Sequence, residues 1–247
     1  MFSNRTSFSD RTRRQFLKTA LFAGSSGMLG VATAMVRRLE AMGAFQYPTG
    51  IQKLSGDVRV NGTAAREGDP VQWGDRVVTG ADGTVIFVLE KSVYLVHENT
   101  DLTLQTETAE KHAASMEKIL RIFKGRALMV FNRHENHRVF TPTAVVGIRG
   151  SGAYVEVETD KTYFCLCYGV SEIAVRGASE IRETVETTHH ESPRFIYGPE
   201  ANARIEPAPV FNHTDEELIR LERMVFRQPP FVPAYGDDGS GGGSGGY

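Results

Sequence analysis

Two cysteines in 247 residues are too few for a disulfide framework. No long block of one charge sign occurs, and the net charge is −2. That balance argues against nucleic acid as a partner, because such binding rests on neutralising many phosphates. Several catalytic and cofactor signatures are also absent. There is no C-x-x-C-H, no phosphate loop of the form G-x-x-x-x-G-K-[ST], and no nucleophile elbow. His134-Glu135-Asn136-His137 is not H-E-x-x-H, and its loop-like composition predicts a solvated turn. Glu156, Glu158 and Asp160 alternate along one predicted strand, the pattern of a solvated sheet face. The expectation is a protein that is not an enzyme.

What is present begins with an address. Thr12-Arg13-Arg14-Gln15-Phe16-Leu17-Lys18 resembles the bacterial twin-arginine export motif, carried by Arg13, Arg14, Phe16, Leu17 and Lys18. Thr19 to Val36 follows without a charge, and Ala32-Thr33-Ala34 offers small residues for a signal peptidase. Basic, apolar and small-residue regions in that order make a signal peptide over 1–34, with cleavage after Ala34. The alternative is a retained membrane anchor, since 18 uncharged residues lie at the low edge for a span. Residues 1–34 hold five basic residues and one acid, leaving 23 basic and 29 acidic, a net of −6. The expected location is the periplasm, with the twin-arginine translocase as a partner in export.

Beyond a linker at 35–53, the pattern becomes period-two with turns. Gly56-Asp57-Val58-Arg59-Val60 alternates into Asn61-Gly62, a preferred hairpin turn. Thr84 to Leu89 is apolar on both faces, as in a central strand. Thr106 to Lys118 has helix-forming composition and predicts a short helix or an excursion. Lys124-Gly125 and the glycines of Gly147-Ile148-Arg149-Gly150-Ser151-Gly152 predict turns between strands. The expected fold is mainly β, a sandwich-like or solenoid-like stack of short antiparallel strands. Residues 199–236 hold a proline-punctuated segment and one helix. Thr214 and Glu217 make its capping box, and Leu218, Leu221 and Val225 its apolar stripe. Residues 237–247 read as a flexible Gly/Ser tail.

Two stretches carry a family resemblance. TPTAVVGIRGSGAYVEV, from Thr141 to Val157, and the earlier pattern G-D-V-x-V-N-G with G-D-x-V-x-T-G-x-D-G resemble the FecR-like domain family. The β-domain so identified spans 54–198. The resemblance implies a periplasmic sensing, scaffold or interaction role and an envelope protein partner. Exposed sheet edges and the C-terminal helix are the expected docking surfaces. Only twelve residues precede the arginine pair, too few for the cytoplasmic anti-sigma segment of classical members.

One constellation suggests a different role. Cys165 and Cys167 lie at i and i+2, so on a strand both thiols face one way. Their Cα atoms would be about 6.5–7 Å apart, the limit for a mutual disulfide. His189 and His190 follow one hairpin later, and adjacent strand residues face opposite ways, so at most one would join the thiols. Two thiolates and an imidazole suit zinc, copper or iron. The competing reading makes both cysteines small core residues.

Overall fold

The computed structural model describes residues 47–108 and 116–233. Arg13, Arg14, Phe16, Leu17, Lys18, Ala32 and Ala34 lie outside the described residues. So do linker residues 35–46, residues 109–115 of the expected excursion, and the tail from 234.

The described chain forms fourteen strands, named here in order: β1 (Gly50–Ser55), β2 (Val58–Val60), β3 (Thr63–Ala64), β4 (Arg76–Thr79), β5 (Thr84–Leu89), β6 (Ser92–Val96), β7 (Asp101–Thr108), β8 (Met116–Val130), β9 (Asn136–Phe140), β10 (Ala144–Val157), β11 (Lys161–Val175), β12 (Ala178–Thr187), β13 (Arg194–Tyr197) and β14 (Arg204–Pro207). A single 3-10 turn at Pro199–Ala201 precedes β14, and α1 (Asp215–Met224) is the α-helix of the described residues. Every pairing is antiparallel except that of β8 with β9. The expectation of a mainly β fold with one C-terminal helix is met.

Three strands of 15, 14 and 15 residues, β8, β10 and β11, organise the rest. Each gives one half to each of two layers. The first half of β8 pairs with β7 and β9, and its second half with β6 and β10. The first half of β10 pairs with β9, and its second half with β8. The second half of β11 pairs with β12, and its first residues with β13. One layer is therefore β3-β2-β4-β7-β8-β9-β10-β11-β12. The other is β1-β5-β6-β8-β10-β11-β13-β14. This is the layered alternative of the two left open by sequence.

The strands change layer at glycines. Gly125 has φ +85° and Gly169 has φ +107°, values that favour a residue without Cβ. A Cβ at Gly125 would lie 2.4 Å from Thr100 Cα, and one at Gly169 would lie 2.5 Å from Ser151 Cβ. In β10 the register shifts between Arg149 and Gly152. Such bulges bend a strand and sharpen its twist. Lys124-Gly125 and the glycines of 147–152 thus bend continuous strands, where the sequence predicts turns between separate ones.

The second layer is apolar on both faces, which explains the unbroken apolar run of β5. Phe87 and Leu89 enter the core shared between the layers, with Leu104, Leu120, Val146 and Ile173 opposite. Ile86 and Val88 enter a second core outside, with Leu95, Leu128, Val130 and Tyr154. Leu218 and Leu221 of α1, with Val225 just past its end, cover that outer core and are almost fully buried. Thr214 and Glu217 form the expected capping box. The apolar stripe of α1 is therefore packed against its own sheet and is not an exposed docking surface.

Three further expectations change. Strand pairing begins at Gly50, inside the expected linker. The ends of the expected excursion are strand, with Thr106 paired to Lys118 and Thr108 to Met116. His137 is not in a solvated turn: it lies on β9, 2% exposed, with its ring 4.6 Å from that of Phe131.

Candidate metal centre

On β11 the side chains alternate between the two cores. Phe164 and Leu166 point into the shared core, while Tyr163, Cys165 and Cys167 point into the outer one. Both cysteines are fully buried, free, and on one face of the strand.

His190 arrives from the turn after β12. Its backbone is left-handed, φ +56°, and its N–H donates to the Cys167 carbonyl at 3.0 Å. Glu191 ties the turn together by accepting from the Thr187 hydroxyl, from both the amide and hydroxyl of Thr188, and from the His189 amide. These bonds hold the Glu191 carboxyl far below the usual carboxylate range. The His190 ring is thereby turned under the sheet, with Nδ1 3.4 Å from Cys165 Sγ.

A fourth group comes from the segment before α1. The Tyr163 hydroxyl donates to the Pro209 carbonyl at 2.9 Å, and its ring lies 4.0 Å from that of Phe211. These contacts lay the segment on the sheet. His213 then stacks on Tyr154, with centroids 4.6 Å apart and planes 11° apart. Its Nε2 lies 3.1 Å from His190 Nδ1. One candidate ligand atom from each of Cys165, Cys167, His190 and His213 falls within 4.8 Å of all the others.

The outer nitrogens settle the tautomers. His213 Nδ1–H donates to the Phe211 carbonyl at 2.8 Å. His190 Nε2–H donates to Asp215 Oδ1 at 3.1 Å. A neutral ring with its proton so placed presents a lone pair on the other nitrogen. Two lone pairs therefore face each other at 3.1 Å beside two sulfurs. Such a cluster is stable only around a positive centre, either an extra proton or a metal ion.

The electrostatics agree. The Cys165 thiol is lowered to about 4, chiefly by the neighbouring Cys167 thiol, with His190 and His213 adding to this against the opposing effect of burial. Burial pushes the Cys167 thiol up, and the Cys165 sulfur adds to it. Burial alone would lower His190, but its bonds to Cys165 and Asp215 outweigh this and raise it.

His189 does not join the thiols. Its Nε2–H donates to Asp215 Oδ2 at 2.8 Å, and its ring stacks 4.3 Å from that of Phe231. His213 is absent from the sequence-based set. The signal that could have found it is its place directly before the cap of a helix whose apolar stripe must cover a sheet face.

No family model matches this chain, and no curated protein sequence matches it. It is similar to two crystal structures of a candidate anti-sigma factor from Parabacteroides distasonis, at 1.65 and 2.50 Å resolution. Each is 16% identical, with TM-scores of 0.44 and 0.43. The alignments cover 60% of this chain and 74% and 73% of those chains.

Proposed function

We propose that this protein is an exported, non-catalytic β-domain protein that binds one metal ion through Cys165, Cys167, His190 and His213. The observation that carries this reading is the pair of imidazole lone pairs converging on two buried sulfurs. Bonds of about 2.0–2.3 Å to a tetrahedral ion set ligand separations of about 3.3–3.8 Å. The contacts of 3.1 and 3.4 Å lie close to that span. Two nitrogens and two sulfurs in a closed site fit zinc in a structural role, because no position is left for water or substrate. Copper and iron, the other metals that suit these residue types, favour different ligand sets. The outer partners are those expected around a metal: Asp215 and the Phe211 carbonyl each fix one ring.

Export by the twin-arginine route supports the same reading. That route carries folded proteins, so a metal loaded in the cytosol would shield both thiols on arrival in the periplasm. An Arg13→Lys, Arg14→Lys variant that still reaches the periplasm would remove this support. The FecR-like resemblance adds an envelope docking role, for which the stripe of α1 is not free while the helix is packed.

The site is tested with cobalt(II), whose visible spectrum reports tetrahedral thiolate ligation. The expected result is such a spectrum in wild type and its loss in Cys165→Ser, Cys167→Ser. An identical spectrum in that variant, or none in folded wild type, contradicts the proposal.

A further inference from the structure

We infer that the metal ion is a latch holding the C-terminal segment, residues 208–231, over the outer face of the second layer. The inference rests on the metal-binding reading above. Its basis is where the four ligands sit. Cys165 and Cys167 belong to β11, and His190 to the turn anchored on the Cys167 carbonyl. His213 alone belongs to the segment that continues into α1. Three ligands thus stay with the sheet, and the fourth travels with the helix.

The consequence follows from linkage. Lifting α1 from the sheet must withdraw His213 and break the four-ligand site. Metal bound more tightly to the closed form therefore opposes this opening. An opening elsewhere, such as of β2 and β4 at the far edge, leaves all four ligands in place. The ion stabilises one local transition selectively.

The latch works at one end of the helix. At the other, Glu222 accepts from the Tyr168 hydroxyl and from Arg227, whose guanidinium also donates to the Phe131 carbonyl at 3.1 Å. What the segment covers is apolar: Ile86, Val88, Val93, Leu95, Leu128 and Val130. Metal level thereby sets how often that face is uncovered.

The test is amide hydrogen exchange on the whole mature protein, with zinc and after removal of zinc under reducing conditions. Metal content is measured in parallel. With zinc at about 100 times its Kd, removal should speed exchange in α1 by up to about 100-fold, the ceiling set by an open form that binds no zinc, while β2 and β4 stay within about twofold. The second variant is His213→Phe, which keeps an aromatic ring on Tyr154. It retains three ligands and should still take up zinc more weakly, and its α1 exchange should respond to zinc far less than that of wild type, the remainder coming from Asp215 of α1, which bonds the His190 ring. If wild type binds zinc and α1 exchange is unchanged by removal, the latch is overturned and the metal site stands. A response in His213→Phe as large as that of wild type also overturns the latch. If folded wild type takes up no zinc, the metal reading fails and the latch with it.

Discussion

His190 Nδ1 and His213 Nε2 lie 3.1 Å apart, and the outer nitrogen of each ring is already bonded elsewhere. This relationship separates two neighbouring histidines. His190 faces the sulfurs, whereas His189 reaches only Asp215 and Phe231. His190→Ala should weaken zinc binding more than about 100-fold, beyond the range for outer partners. His189→Ala should weaken it less than about tenfold. Competition titration against a chromophoric chelator measures both.

Asp215 orients the His190 ring without reaching the sulfurs. Asp215→Asn keeps the shape and removes the charge. Zinc affinity should fall about 10–100-fold. Circular dichroism should show the helix retained, because Thr214 and Glu217 still cap it. A loss of helix with affinity unchanged would assign Asp215 to capping instead.

The legible part of this site was the part with a short period. Cys165 and Cys167 could be placed on one face from i, i+2 spacing alone. Adjacent positions also implied that at most one of His189 and His190 would join them. Which one joins is set by the left-handed turn at His190 and its bond to the Cys167 carbonyl, which no spacing encodes. His213 lies 46 residues beyond Cys167, after a segment whose prolines leave no period to read. The mainly β fold was legible from alternation. The bends at Gly125 and Gly169 were not, because a glycine with positive φ looks alike in a turn and in a strand crossing layers.

Arg227 compensates a carboxylate with almost no solvent. Glu222 is 1% exposed and its partners are Tyr168 and Arg227. Arg227→Ala leaves that charge underpaired and should cost about 3 kcal/mol, as for a broken buried pair. Arg227→Ala, Glu222→Leu should recover much of the loss. Denaturant midpoints at constant slope measure both.

His137 makes stability pH-dependent. Burial lowers it to about 4, and Lys118 adds to this against the opposing influence of Glu135 and Glu90. The folded state thus prefers the neutral ring. Its contribution is fully present above the ordinary histidine value of about 6.5, and it is lost as pH falls from there towards 4. The loss approaches about 3 kcal/mol. Glu135, which burial raises, offsets part of it at the acid end. His137→Leu should flatten stability between pH 6.5 and 4 in denaturant titrations. An unchanged slope would place the acid sensitivity elsewhere.

The central claim is that two thiols and two imidazoles hold one ion. Native mass spectrometry of folded protein supplied with zinc tests it most directly. The account predicts one zinc per chain in wild type and none in Cys165→Ser, Cys167→Ser at equal folding. A metal-free wild type, or a double variant that retains its zinc, would contradict it.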